Sequence, residues 1–282
     1  MSRIKNAFAD GKAFIAFITC GDPDLETTAA VVRSAVANGA DLIELGIPFS
    51  DPTAEGPVIQ GANLRALKGG VTTDKIFDLV RNLRRDVTVP MVFMTYANVV
   101  FSYGADRFFA TCKEIGMDGI ILPDVPFEEK EEFLPYSRRY GIDFISLIAP
   151  TSEHRIARIA AEAEGFLYIV SRLGVTGVGG GNGVSAKAGN QAGNTASGSK
   201  LGETSGGEVR TDLASMVRLV RENTDIPCAV GFGISTPEQA HAMAAVSDGA
   251  IVGSAIVKIV EKYGRDAAGP VGEYVKSMTE NL

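Results

Sequence analysis

The chain has almost none of the residues from which metal centres and thiol chemistry are built. Three cysteines, Cys20, Cys112 and Cys228, are scattered over 282 residues with no CxxC pair, and only two histidines occur, His154 and His241. That spacing argues against a disulfide framework and a thiolate metal site, and two distant histidines build neither a multi-His site nor a His-based relay. No apolar run approaches the roughly 18 residues that a spanning helix needs. Residues 1–11 lack the charged-then-apolar profile of a secretory leader, so a cytoplasmic location is expected. Basic excess is missing as well. The 27 Lys and Arg stand against 34 Asp and Glu, a net charge of −7, which disfavours non-specific binding to nucleic acid or an anionic membrane. Carboxylates, backbone amides and hydroxyls are left to carry any chemistry.

What is present is abundant apolar residue, 45% of the chain, enough to bury a large core. Short apolar runs at 13–20, 41–48, 90–96, 119–124, 144–149, 166–171, 227–233 and 249–253 read as eight strands. Several are apolar on successive residues, such as Ile120-Ile121-Leu122, as expected for strands covered on both faces. Amphipathic stretches at 25–38, 74–85, 128–140 and 237–245 alternate with them. Asp24, Thr73 and Thr236 stand where helix caps belong. A weak repeat marks strand entry, in Gly39-Ala40-Asp41-Leu42-Ile43, Gly116-Met117-Asp118-Gly119-Ile120, Gly141-Ile142-Asp143-Phe144-Ile145 and Ser247-Asp248-Gly249-Ala250-Ile251. Eight β-then-α units in about 250 residues predict a single α/β domain over 1–282, a (β/α)8 TIM barrel. An open doubly wound sheet is the runner-up, and no GxGxxG follows the first strand to support it. Residues 179–207 break the pattern: 29 residues with ten glycines and no aromatic. They read as an extended flexible loop after strand six, which a barrel tolerates because loop-closure entropy grows only slowly with length.

In such a barrel, chemistry belongs at the carboxyl ends of the strands. Alternation along strand two places Leu42, Glu44 and Gly46 on one face and Ile43, Leu45 and Ile47 on the other. A mid-strand Glu44 facing the barrel interior is costly unless it is paired or serves the reaction, and burial there would raise its pKa into acid–base range. Glu55 follows in a Gly/Pro-bounded loop at the same rim. Strands seven and eight end in Gly231-Phe232-Gly233-Ile234-Ser235 and Val252-Gly253-Ser254-Ala255. Such glycine turns at helix starts suit an anion, and in many barrels this corner holds a substrate phosphate. Ser171-Arg172-Leu173-Gly174-Val175-Thr176-Gly177 reads as a mobile lid. Phe17, Tyr96, Phe127 and Tyr168 lie at or near strand ends and could line an aromatic pocket.

The segments Glu44-Leu45-Gly46-Ile47-Pro48-Phe49-Ser50-Asp51-Pro52, Gly56-Pro57-Val58-Ile59-Gln60 and Asn63-Leu64-Arg65-Ala66 resemble the tryptophan synthase α chain family. So do Tyr96-Ala97-Asn98, Asp124-Val125-Pro126, Ser171-Arg172, Gly174-Val175-Thr176-Gly177, Gly231-Phe232-Gly233-Ile234-Ser235 and Gly253-Ser254-Ala255-Ile256-Val257-Lys258. They occur in the family's order and cover almost the whole chain outside 179–207. The resemblance implies retro-aldol cleavage of indole-3-glycerol phosphate to indole and glyceraldehyde 3-phosphate. It implies Glu44 as the catalytic acid/base and Glu55 as acceptor of the indole N–H, at a position where the family usually has Asp. By the same carry-over Phe17, Tyr96 and Tyr168 flank the indole, Thr176 helps to close the lid, and Gly177, Gly233, Gly253 and Ser254 hold the phosphate. Asp51, Pro52, Asn98 and Pro126 match positions that touch a β chain in an αββα complex. The pyridoxal phosphate of that complex is expected only in the partner, with no cofactor in this chain. Two other readings stay open on the residues: a free-standing indole-glycerol-phosphate lyase, and a binding or regulatory subunit or loop-grafted scaffold with weak activity.

Overall fold

The computed structural model describes residues 3–150, 153–170, 213–231, 233–280 and 282. Among them nine parallel strand segments form one sheet: β1 (Ala13–Thr19), β2 (Leu42–Gly46), β3 (Met91–Met94), β4 (Gly119–Ile121), β5 (Asp143–Phe144), β6 (Ser146–Ile148), β7 (Leu167–Val170), β8 (Cys228–Gly231) and β9 (Gly249–Val252). Their order is β5-β4-β3-β2-β1-β9-β8-β7-β6. The segments β5 and β6 are halves of one barrel strand, interrupted only at Ile145, whose amide still donates to the Ile120 carbonyl at 2.9 Å. With β5 bonded to β4 and β6 to β7, the eight expected strands close a (β/α)8 barrel.

Among the described residues eleven α-helices cover the barrel: α1 (Leu25–Ala37), α2 (Pro57–Lys68), α3 (Thr73–Leu83), α4 (Ala97–Tyr103), α5 (Ala105–Ile115), α6 (Leu134–Tyr140), α7 (Glu153–Ala161), α8 (Leu213–Asn223), α9 (Pro237–Val246), α10 (Ser254–Tyr263) and α11 (Ala268–Thr279). The capping chemistry is local and follows the sequence. Asp24 accepts from the Thr27 amide, and Thr236 with Gln239 forms a reciprocal capping box. Two local expectations need correction. The cap of α3 is Thr72 rather than Thr73, because Thr72 is extended and its hydroxyl accepts from the Lys75 amide. The helix expected over 128–140 is divided into a 3-10 segment, Phe127–Glu132, and α6. Pro135 has no N–H to donate and its ring collides with the carbonyl four residues earlier, so an α-helix cannot run through it.

Strand alternation sorts the side chains into two cores. Ile15, Leu42, Val92, Ile121, Ile145, Phe166 and Ile251 fill the barrel interior, while Phe14, Ile18, Ile43, Leu45, Phe93 and Ile120 face the helices. The amino-terminal 3-10 helix Ile4–Phe8 stoppers the lower end, where a Cβ on Gly165 or Gly119 would lie 3.0 or 3.2 Å from the Ile4 side chain. Beside this stopper, buried Asp118 binds Arg84 at 2.7 Å and Arg3 at 2.9 Å and accepts from the Met91 amide at 3.0 Å. The lower end is therefore closed by apolar packing and paired charge. The carboxyl ends of the strands are the end left for a site.

Candidate active site

Glu44 is held at the centre of β2, opposite Phe17 on β1 and Val92 on β3. Its phase is that of Leu42, so its side chain points into the barrel, above the apolar layer. It is 1% exposed, and neither carboxyl oxygen has a hydrogen-bond partner among the described residues. Burial first, and the nearby Glu55 charge second, push its pKa to about 8. A carboxyl group placed this way stays protonated near neutrality.

Glu55 lies in the loop from β2 to α2, immediately before the Gly56 cap of that helix. The loop is short and tied down: Gln60 Nε2 donates to the Glu55 carbonyl at 2.8 Å, and the Ala54 amide donates to Tyr96 Oη at 2.9 Å. Tyr96 Oη in turn donates to Glu55 Oε2 at 2.9 Å. Phe49 stacks on the Tyr96 ring with centroids 5.1 Å apart. Burial raises the Glu55 pKa to about 7; the Tyr96 hydrogen bond opposes that rise, and the Asp124 charge adds to it. Asp124 itself accepts from the Ala97 amide at the start of α4, at 3.0 and 3.1 Å. Two carboxyl groups, both raised above the ordinary carboxylate range, therefore lie at one mouth.

The aromatic walls depend on glycines for space. A Cβ on Gly231 would come within 2.5 Å of the Tyr168 ring, and one on Gly46 within 2.7 Å of the Phe17 ring. Each ring thus reaches over a neighbouring strand, Tyr168 over β8 and Phe17 over β2, and both are buried. Across β1, Gly253 adjoins the other side of Phe17, where a Cβ would sit 3.3 Å away.

The two glycine turns are unequal. At the end of β8, the Gln239 side chain already accepts from the amides of Ser235 and Thr236 and from the Ser235 hydroxyl. The N-terminus of α9 is therefore occupied by its own capping box. Helix α10 begins at Ser254 after Gly253 with no side-chain cap, leaving the end of β9 as the open helix start, with Gly233 exposed beside it.

The structure brings Phe17, Glu44, Glu55, Tyr96, Tyr168, Gly233, Gly253 and Ser254 to the carboxyl ends of the strands, where the sequence expected them. Thr176 and Gly177 lie outside the described residues. Phe127 does not join the mouth; it packs outward beneath Lys130, whose Nζ is 3.9 Å from its ring centre. Asp51 and Pro52 follow β2, Asn98 follows β3 and Pro126 follows β4, three neighbouring strands, and Asp51, Asn98 and Pro126 are exposed. A cleft of about 340 Å³ lined by Pro48, Phe49, Asn98 and Ser102 opens there, and Phe101 on α4 is 53% exposed. Three residues of the mouth were not singled out from sequence. Phe49 follows strand two and Asp124 closes the run 119–124, so the strand-end rule that found Glu55 could have found both. Thr19 could have been found by continuing the inward phase of β1 through Ile15 and Phe17.

Fold and mouth together define a (β/α)8-barrel protein whose strand carboxyl ends bring two buried carboxyl groups, Glu44 and Glu55, among aromatic walls. The sequence profile described as tryptophan synthase alpha chain matches residues 4–188 and 190–280, running through most of the glycine-rich stretch. The tryptophan synthase alpha chain of Lacticaseibacillus casei is 42% identical over 278 residues, covering 99% of this chain and 94% of its own. That of Caldanaerobacter subterraneus subsp. tengcongensis is 42% identical over 289 residues, with 100% of both chains covered. Among solved structures, the alpha subunit from Legionella pneumophila superposes with a TM-score of 0.79 at 33% identity, covering 99% of this chain and 97% of its own. A chain of the tryptophan synthase complex from Pyrococcus furiosus gives 0.76 at 30% identity, covering 95% and 98%. This chain belongs to the tryptophan synthase alpha chain family, whose members are lyases of tryptophan biosynthesis that cleave indole-3-glycerol phosphate.

Proposed function

We propose that the mouth of this barrel performs the family's retro-aldol reaction with Glu44 and Glu55 in distinct roles. Bond cleavage between indole C3 and the first side-chain carbon needs a proton at C3, stabilisation of positive charge at the ring N–H, and loss of the proton from the adjoining hydroxyl. Neutral Glu44 gives its proton to C3. Ionised Glu55 accepts the indole N–H and stabilises the cationic ring. The Glu44 carboxylate then removes the hydroxyl proton as the carbon–carbon bond breaks, its electrons return to the ring, and the aldehyde leaves. Glu44 ends as it began, protonated.

The observation that carries this reading is the buried Glu44, with both carboxyl oxygens unpartnered among the described residues and its pKa near 8. Tyr96 supports the second role, since its hydroxyl holds Glu55 in place and favours the ionised form. The longer Glu at this position is accommodated by that anchor. Phe17, Tyr96 and Tyr168 bound the indole, and Gly233, Gly253 and Ser254 take the phosphate, with Thr176 and Gly177 expected to close over it.

The remaining assignments extend the same reading. Asp51, Pro52, Asn98 and Pro126 form the surface that meets the β chain in an αββα tetramer, in which the partner alone carries pyridoxal phosphate. The protein works in the cytoplasm as one barrel domain; the segment 179–207, read from sequence as a loop, lies outside the described residues. Indole release by the purified chain, with and without added β chain, tests the assignment. Stimulation by the β chain is expected, and the Glu44→Gln protein should lose activity by 10²–10⁴-fold, the usual contribution of a general acid–base. Undiminished indole release from that variant would refute the acid–base role of Glu44, and no release from the wild-type chain even with β chain added would leave only a binding subunit.

A further inference from the structure

Thr19 closes β1, and its side chain has no assigned task. Alternation sets its direction: Phe14, Ala16, Ile18 and Cys20 belong to the helix-facing core, Ile15 to the barrel interior and Phe17 to the mouth. Thr19 therefore points into the mouth, one inward step above Phe17. It is 2% exposed, and its Oγ1 has no hydrogen-bond partner among the described residues. The two Glu44 oxygens are the other buried side-chain oxygens in that condition. A buried hydroxyl is rarely left unpaired, so a hydroxyl and a carboxyl left open at one mouth point to a ligand with matching polar atoms.

Sheet order says which atoms. β1 lies between β2, which carries Glu44, and β9, which ends at Gly253 and the open start of α10. A substrate anchored by its phosphate at the end of β9 and reacting at Glu44 must run its connecting carbons across β1, over Phe17 and Thr19. Neighbouring strands are about 4.8 Å apart, so that crossing spans about 10 Å, the reach of a phosphorylated three-carbon chain. The chain has two hydroxyls. The one on the carbon bonded to indole is the one Glu44 deprotonates. The middle carbon carries the second, and it passes over β1.

Resting on the function proposed above, we propose that Thr19 is a specificity-determining residue that hydrogen-bonds the middle hydroxyl of the substrate's glycerol chain. The hydroxyl neither gives nor takes a proton in the bond cleavage; it selects dihydroxy chains over their deoxy counterparts and fixes the chain so that the reacting hydroxyl faces Glu44.

The test compares cleavage of indole-3-glycerol phosphate with that of the analogue lacking only the middle hydroxyl, using the full-length protein with β chain present. Wild type should favour the dihydroxy compound in kcat/KM by about tenfold, the worth of one such hydrogen bond. Thr19→Val, which keeps the shape and removes the hydroxyl, should lose that tenfold on the dihydroxy compound and stay within about twofold of wild type on the analogue. Thr19→Ser should restore discrimination. Equal losses of Thr19→Val on both compounds, or undiminished discrimination, overturn the proposal. If Thr19→Val does not fold, Thr19→Ser and wild type decide it, since a lack of preference in both refutes it. Failure of wild type to release indole from either compound would instead overturn the function on which the proposal rests.

Discussion

Replacing Glu44 by Gln should change how the stability of the protein depends on pH, and the structure gives the size of the change. In the unfolded chain this carboxyl titrates near 4.5, whereas in the folded protein burial and the Glu55 charge raise it to about 8. The folded state therefore binds the proton more tightly than the unfolded state. Between those two values the unfolded chain is deprotonated at this site and the folded one is not, so stability falls as pH rises. The slope is about 1.4 kcal/mol per pH unit for one proton, and over a window of about 3.5 pH units it accumulates to about 5 kcal/mol. Below pH 4.5 the contribution is fully present, and above 8 it is lost. Gln has no such titration; its buried amide adds an offset that does not vary with pH. Urea unfolding of both proteins at intervals from pH 5 to 9 reads the effect. The variant should gain steadily on wild type as pH rises, by several kcal/mol in total, with the gain levelling off above 8. Parallel stability curves would refute the burial and orientation assigned to Glu44.

Activity and folding offer further checks. Because the proposed reaction needs Glu55 ionised and Glu44 neutral, kcat/KM should follow a narrow bell with limbs near 7 and 8. Tyr96→Phe removes the hydroxyl that favours ionised Glu55, so the acidic limb should move up by about one pH unit while the alkaline limb stays, as a pH–rate profile will show. Gly231→Ala drives a Cβ into the buried Tyr168 ring, and should destabilise the fold by about 1–3 kcal/mol and raise KM for the indole substrate. Asp118→Asn, at the opposite end of the barrel, leaves the largely buried Arg84 without its ionic partner; unfolding should cost about 3 kcal/mol less, with kcat for indole release unchanged. Loss of kcat there would show that the two ends are coupled.

Much of this protein is legible from local pattern. The eight strand runs, the inward phase of Glu44 and the caps at Asp24 and Thr236 each depend on residues within a few positions of one another, and each is present in the structure. Where expectation slipped, competing local chemistry was the cause: Pro135 divides a helix that periodicity alone would continue, and Thr72 outcompetes Thr73 because its extended backbone aims the hydroxyl at the Lys75 amide. Phe127 shows the limit of reading strand ends as a site, since its position after β4 says nothing of the side on which its ring packs.

The sequence by itself determined the alternating units, the carboxylate in mid-strand and the glycines at the strand ends, since a period of two or of 3.6 is set by the backbone alone. Only the closed sheet decided which of these meet. It seats β9 beside β1 although more than 200 residues separate them, so that Gly253 adjoins Phe17 and Thr19 stands between the open helix start and Glu44. It also folds the loop after β2 back until Tyr96, at the cap of α4 beyond β3, grips Glu55. Burial is a property of everything packed around a group, and no short stretch of sequence contains the surroundings that raise a carboxyl pKa from 4.5 to about 8.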